Sequence, residues 1–196
     1  IPQLDRLTLG EVSYRGASLG DVAASLTRGR IGPTTRVHLD PDLRPEARPR
    51  SSDWLPAFGQ SDAAARHLDL QGVREGDLFL FFGWFRKTQG QFPELTYVPG
   101  SPDLHVLFGW LQVGRVLRRE GEAPPWLHSH PHVSDPPPAP RPNYIYVASP
   151  DLCIEGVEPG LPGGGVFSRY FPALQLTDPA AASRSTWRVP SWFTGT

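Results

Sequence analysis

Two segments near the middle of the chain share one pattern, a run of β-branched and aromatic residues interrupted by a Gly-Trp pair. They span residues 76–86 and 104–116. This composition is typical of β-strands, and a glycine inside a strand indicates a bulge or the close approach of another backbone or a ligand. We therefore expect two neighbouring strands in which Trp84 and Trp110 line a pocket for a planar ligand such as a base.

Length and composition predict a single domain over residues 1–196. Hydrophobic residues make up 39% of the 196 residues and charged residues 20%, which is sufficient for one hydrophobic core. The 23 prolines and 20 glycines predict much irregular structure. The chain starts at Ile1 and contains no methionine, so we expect that an N-terminal piece was removed or is not shown.

The sequence favours a cytoplasmic protein without a membrane partner. Cys153 is the single cysteine, which excludes an internal disulfide and favours a reducing compartment. No apolar stretch is long enough to span a bilayer, and no signal peptide is visible.

The charge distribution argues against a protein that simply coats nucleic acid. The net charge is −1, whereas such proteins carry a strong positive excess. Arginines nevertheless cluster in residues 28–50 and 115–119. All of the 19 basic side chains except Lys87 are arginines, so a bias in genome composition explains part of this excess. We expect local basic surfaces only.

The remaining patterns predict about six or seven short strands and two helices. The helices are expected at residues 18–28, with Ser18 as N-cap, and at 62–70, capped by Ser61. Further strands are expected at residues 34–40, 95–98 and 143–148. The predicted fold class is α+β, with a curled, mainly antiparallel sheet or a small β-barrel and a few flanking helices.

A His-x-His-x-His run at His128, His130 and His132 is the most distinctive polar motif. On a strand the three rings would share one face, as a metal site requires. Pro131 interrupts the run, however, and a proline-rich segment follows it. The sequence therefore favours no tightly bound metal, with at least one ring facing solvent. General acid–base catalysis or a hydrogen bond to phosphate is the expected role of His130 or His132.

Asp40 completes a candidate catalytic set with His130 and His132. It lies at the end of a predicted strand, where pocket residues often occur. The alternative is an aspartate that caps a turn. The sequence identifies no cofactor.

A second set of residues is the candidate nucleotide-binding site. Aromatic rings stack on bases for about 1–3 kcal/mol each, and arginine adds charge and a planar contact. Trp84 and Trp110 are expected to stack, Arg86 and Arg115 to meet phosphate, and Gln112 to bind a base edge. The alternative, that both tryptophans belong to the sheet core, stays open.

Motifs along most of the chain resemble the nucleotide modification associated domain family, third type. They lie at residues 37–43, 57–60, 67–68, 76–86, 105–114, 130–132 and 143–148. The resemblance implies a prokaryotic or phage protein linked to nucleotide or DNA modification, without specifying a reaction. It implies nucleotide or nucleic-acid partners, with DNA preferred to RNA, and partner proteins of a modification system. The resemblance further implies an N-terminal segment of Ser-Arg-Lys-Gly character, which we expect to be missing from this sequence.

A looser similarity links the chain to PUA-like barrels, which bind modified bases. It rests on Gly76-Asp77 before an apolar strand and on a later strand that contains Gly-x-x-x-Val-Gly. The sequence therefore leaves three alternative functions. The first is a base- or nucleotide-modifying enzyme that uses Asp40, His130 and His132. The second is a non-catalytic PUA-like reader, and the third is a structural subunit of a modification complex.

Overall fold

The structure, a computed structural model, describes residues 7–118, 123–134, 136, 140–154 and 160–189. These residues form a mixed α+β fold with mainly antiparallel strands, as the sequence predicts. The strands are β1 (Ser13–Tyr14), β2 (Ala17–Ser18), β3 (Ala57–Ser61), β4 (Leu78–Phe85), β5 (Thr88–Gln91), β6 (Glu94–Tyr97), β7 (Leu104–Leu117), β8 (Asn143–Ala148) and β9 (Gly164–Val166). The α-helices are α1 (Leu19–Thr27), α2 (Asp62–Leu70) and α3 (Pro131–Ser134).

The central sheet is organised around the long strand β7. Its strand order is β3-β8-β7-β4, and β9 pairs with β7 outside this path. All of these pairings are antiparallel. The path is open at β3 and β4, so the strands of the described residues do not close into a barrel, and a PUA-like arrangement is not established. Two small hairpins, β1-β2 and β5-β6, lie outside the sheet.

The two Gly-Trp segments are neighbouring strands, as predicted. In the β4–β7 ladder Leu80 pairs with Trp110, and the register shifts between Phe81 and Phe82. A Cβ atom at Gly109 would lie 2.7 Å from the carbonyl oxygen of Gly165 on β9. This glycine therefore admits a close neighbouring backbone, which is one of the two reasons expected for a glycine inside a strand.

The central sheet is covered on both faces at β8. On β8, Tyr146 belongs to one apolar cluster with Leu111 and Val113. Its neighbours Ile145 and Val147 belong to a second cluster on the opposite face. Such alternation is expected for a strand that is covered on both sides. β8 is thus packed between two apolar clusters, one on each of its faces.

Helices α1 and α2 form at the predicted positions, whereas one predicted strand does not form. The Oγ of Ser18 accepts hydrogen bonds from the backbone N–H groups of Gly20 and Asp21 and caps α1. α2 begins at Asp62, although Ser61 makes no capping hydrogen bond through its side chain. Residues 34–40 are not a strand, since this stretch makes only an isolated bridge between Thr8 and Arg36. The flanking prolines at 33 and 41 lack the N–H that would extend a ladder. No helix of the described ranges is long and apolar enough to cross a membrane.

Candidate functional site

The carboxylate of Asp40 lies at the centre of a cluster with His38, His130 and His132, which we call the Asp40 cluster. Its Oδ2 is 3.5 Å from Nε2 of His132 and 3.8 Å from Nε2 of His38, and its Oδ1 is 3.6 Å from Nε2 of His130. Exposed side-chain fractions are 6% for Asp40, 1% for His130 and 9% for His132, against 32% for His38. The cluster is therefore a buried acid among imidazoles that solvent reaches on the His38 side. The structure thus brings together the three residues of the candidate catalytic set.

Strand β3 holds Asp40 and makes room for His132. The backbone N–H of Gly59 on β3 donates a 2.8 Å hydrogen bond to Oδ1 of Asp40. A Cβ at Gly59 would lie 2.2 Å from Cδ2 of His132, so the ring packs directly on the backbone of the strand. His132 belongs to the short helix α3, and His130 lies just before it. His128, in the preceding turn, is exposed as the sequence predicts for at least one ring.

Asn143 at the start of β8 fixes the orientation of the His132 ring. Its Nδ2 donates to the backbone carbonyl of His132 at 2.7 Å, and its Oδ1 lies 2.6 Å from Nδ1 of His132. Because the amide oxygen can only accept, Nδ1 of His132 carries a proton and Nε2 faces Asp40. The backbone N–H of His132 donates to Nδ1 of His130, so the proton of a neutral His130 lies on Nε2. That buried Nε2 has no hydrogen-bond partner within the described ranges.

The electrostatics of the cluster favour an ionised carboxylate. Burial by itself would raise the pKa of Asp40, but the facing imidazoles of His130 and His132 and the N–H of Gly59 outweigh it and lower the pKa to about 2. Burial likewise opposes the charged form of His132, and its contacts with Asp40 and Asn143 outweigh burial and raise its pKa. The cluster therefore retains negative charge on Asp40 and attracts protons or other cations.

Arginines of the segment 44–50 lie beside the cluster. Arg48 donates a 3.4 Å hydrogen bond to the carbonyl of Ser129, next to His130. Arg50 pairs with Asp42, and both side chains are buried. Burial raises the pKa of Asp42, against the influence of Arg50. The half-buried Arg48 thus supplies positive charge near the cluster.

The two tryptophans of the candidate nucleotide-binding set have different surroundings. Trp84 is 62% exposed, and the guanidinium of Arg184 lies 4.2 Å from its ring centroid. Trp110 is half-buried, with its Nε1 donating to the carbonyl of Pro162 and its ring against Phe167. Trp84 pairs with His105 and Trp110 with Leu80, so the two positions lie roughly 16 Å apart along β7. They do not face each other across one pocket.

The polar members of this set lie along the same strands. Arg86 pairs with Asp103 at 2.6 Å, and Arg115 is exposed on β7. The buried amide of Gln112 donates to the carbonyls of Gly76 and Cys153 and accepts from the N–H of Cys153. Gln112 therefore ties main-chain segments together, and its contact with a base edge stays a prediction.

Within the candidate binding set, Trp110 lies far along β7 from the Asp40 cluster, whereas Arg115 lies near the same end of β7 as the cluster. The cluster lies on β3 at Gly59, which pairs with Ile145, and Ile145 pairs with Leu117 at the end of β7. Trp110 is seven residues earlier on β7, roughly 23 Å along the strand. Trp110 is therefore not a member of the Asp40 cluster.

Two cavities lie beside the Gly-Trp strands. The larger, of about 790 Å³, is lined among others by Leu80, Phe82, Tyr170, Trp187 and Arg188. Phe82 and Trp187 meet edge to face with ring centroids 4.8 Å apart. The smaller, of about 420 Å³, includes Tyr14, Phe85, Arg86, Lys87 and Arg169. Trp84 and Trp110 line neither of these two.

The sequence-based site sets omit His38, Asn143 and Trp187. The only local signal for His38 is its position two residues before Asp40. Asn143 was visible only as the start of a strand. Trp187 lies far from the Gly-Trp segments in sequence, and its Nε1 donates to Nδ1 of His105 at 3.0 Å. Contacts between such distant segments carry no periodic signal.

Comparisons with known proteins give one match. No curated protein and no solved structure matches the chain. A family model described as nucleotide modification associated domain 3 matches residues 1–196, the whole of the sequence. The chain belongs to the nucleotide modification associated domain 3 family.

Proposed function

We propose that this protein is an enzyme that modifies a nucleotide, or a base within nucleic acid, and that the Asp40 cluster is its reaction centre. The family name supports the substrate class, since it links the chain to nucleotide modification. The observation that carries the proposal is the convergence of a buried carboxylate with three imidazoles from two separate segments, residues 38–40 and 130–132.

The energetics of the cluster argue for a chemical role. A buried carboxylate costs several kcal/mol unless it is paired and hydrogen-bonded. The buried Nε2 of His130 without a hydrogen-bond partner adds about 1–3 kcal/mol. Apolar side chains of similar volume would fill this space at lower cost. Groups of this kind in perturbed surroundings are typical of functional sites.

The geometry indicates how a substrate would approach. His38 is the exposed member of the cluster, so a base would enter from its side and meet the Asp40–His132 pair next. His132 and His130 are the groups that would exchange protons with it, while the Asp40 carboxylate balances their charge. Arg48, next to the loop that carries His130, is the side chain best placed to meet a substrate phosphate.

Mass spectrometry of nucleosides tests this function. Nucleosides from cells with the intact gene should contain a modified species that is absent, or present as its precursor, in cells without the gene. Identical nucleoside profiles in the DNA, RNA and free-nucleotide pools would contradict the proposal.

A second candidate, a non-catalytic reader of the PUA type, has its own supporting observation. The outer face of β4 exposes Leu78, Leu80, Phe82 and Trp84, and the 790 Å³ cavity adjoins it. Exposed apolar patches and cavities of this size often bind ligands, and aromatic walls suit an unstacked base.

Nucleotide binding distinguishes the two candidates. A reader loses affinity for nucleotides or short DNA on Phe82→Ala, and Asp40→Asn leaves its affinity unchanged. An enzyme with its reaction centre at Asp40 loses product formation on Asp40→Asn and keeps it on Phe82→Ala. Fluorescence titration of both variants, after circular dichroism has verified their folding, separates these outcomes.

A further inference from the structure

We propose that His38, Asp40 and His132 form a binding site for a divalent first-row transition metal ion of the Zn²⁺ or Fe²⁺ type. This inference rests on the proposed function, because it places the ion in the same reaction centre. It changes the expected roles of three residues. Asp40 and His132 become ligands of the ion, and His130 becomes a positioning residue behind Asp40.

The separations of the three ligand atoms fit a metal ion. Oδ2 of Asp40 lies 3.5 Å from Nε2 of His132 and 3.8 Å from Nε2 of His38. One ligand atom from each of the three residues can be chosen so that all lie within 4.8 Å of one another. A tetrahedral ion with bonds of about 2.1 Å separates its ligand atoms by about 3.4 Å. The exposed His38 ring can supply the small remaining movement.

The protonation pattern at His132 is that of a metal ligand. Asn143 holds the proton on Nδ1, so the lone pair of a neutral His132 is on Nε2 and faces the Asp40 carboxylate. Two electron-pair donors 3.5 Å apart repel each other unless a proton or a metal ion lies between them. Metal-bound histidines commonly have this arrangement, with the second ring nitrogen donating to an oxygen that fixes the ring.

Asp40 is held in a way that leaves one oxygen for the ion. Its Oδ1 accepts from the N–H of Gly59 and faces Nε2 of His130. That nitrogen is buried and lacks a hydrogen-bond partner within the part of the chain that the structure describes. A small closure of the carboxylate towards His130 would complete this bond while Oδ2 binds the ion.

The ligand set indicates the class of metal. Two imidazoles and one carboxylate suit Zn²⁺, Fe²⁺ and similar ions, whereas Mg²⁺ and Ca²⁺ prefer oxygen ligands alone. Three protein ligands leave a coordination position open, as in catalytic sites. The exposure of His38 gives the ion and a substrate a path to that position.

The structure removes the reason for which the sequence favoured no metal. That expectation treated the His-x-His-x-His run as the whole ligand set and noted that Pro131 interrupts it. In the fold, Pro131 is the first residue of α3, where proline is well tolerated. The run contributes His132 alone as a ligand, and the other two ligands come from residues 38–40.

Metal binding is tested on protein purified without a His-tag and stripped with a chelator. Titration with Co²⁺, followed by visible absorption, should show one ion per chain that Zn²⁺ displaces. His38→Ala removes an exposed ligand at little risk to folding and should abolish this signal. Asn143→Ala should weaken binding by about 10- to 100-fold. His128→Ala, which changes an exposed histidine of the same run, is the matched control and should bind normally.

Two results would overturn the metal site. One is the absence of Co²⁺ binding by the stripped wild-type protein. The other is a His38→Ala variant that binds as well as the His128→Ala control. X-ray absorption of the Zn²⁺-loaded protein adds a readout that does not depend on variants. It should show nitrogen and oxygen neighbours at about 2.0–2.2 Å, and sulfur at about 2.3 Å would contradict the assignment.

Failure of the metal site and failure of the proposed function are distinguishable. Stoichiometric Co²⁺ binding combined with an unchanged nucleoside profile supports the site and contradicts the reaction. A gene-dependent nucleoside change combined with a wild-type protein that binds no ion supports the reaction and contradicts the site.

Discussion

The imidazole of His132 packs on the bare backbone of Gly59, and a Cβ at that glycine would lie 2.2 Å from Cδ2 of the ring. Gly59 also donates its N–H to Asp40. One backbone position thus sets the distance between the two central groups of the site. The close packing of the His132 ring explains why residue 59 is a glycine.

Gly59→Ala should therefore damage the site without removing a functional group. The His132 ring must move, and we expect a loss of about 1–3 kcal/mol in the free energy of unfolding. Urea unfolding measures this loss. The control is Gly32→Ala, whose Cβ would meet its nearest neighbour at an ordinary 3.9 Å. Equal stability of the two variants would contradict the packing described.

Gln112→Ala should affect folding and leave ligand affinity alone. The buried amide bonds to main-chain groups of Gly76 and Cys153, and the loss of these three hydrogen bonds should cost about 1–3 kcal/mol in the free energy of unfolding. Gln89→Ala, at an exposed position on β5, should change stability by less than about 0.5 kcal/mol. A fully stable Gln112→Ala variant with reduced nucleotide affinity would instead favour contact with a base edge.

Trp110→Ala and Trp84→Ala should separate a structural tryptophan from an exposed one. Trp110 packs on Phe167 and bonds to Pro162, so its loss should cost about 2–3 kcal/mol, somewhat less than in a full core. The exposed ring of Trp84 contacts the guanidinium of Arg184. This cation–π contact contributes about 0.5–1 kcal/mol, so Trp84→Ala should cost less than Trp110→Ala. Thermal unfolding of both variants measures the difference, and a larger loss for Trp84→Ala would contradict this assignment.

Local patterns were sufficient to predict the strands and helices that rest on short-range signals. Aromatic and β-branched runs predicted β4, β7 and β8, and Ser18 predicted the start of α1. Residues 34–40 have a strand-like composition but lie between prolines and make only one isolated bridge. Strand formation there depends on a partner, and composition does not reveal the partner. The open sheet likewise depends on which edges pair, so the sequence could not exclude a barrel.

The site was predictable in part. The acid–base chemistry of Asp40, His130 and His132 groups them in the sequence, and Asp40 in addition lies at the end of a predicted strand. Their convergence depends on long-range contacts through β3 and β8 that have no signature in sequence. The prediction that Trp84 and Trp110 share a pocket likewise depends on information that the sequence does not contain. Neighbouring strands were predicted, but the register that places Trp84 opposite His105 was not.

The measurement that tests the central claim most directly is the nucleoside profile of cells that carry Asp40→Asn. This change keeps the size of the side chain and removes the negative charge around which the cluster is built. The matched control is Asp53→Asn, at an exposed aspartate of the neighbouring loop. With variant levels equal by immunoblot, the modified nucleoside should be present with wild type and Asp53→Asn and absent with Asp40→Asn. A wild-type level of modification with Asp40→Asn would contradict the assignment of the reaction centre.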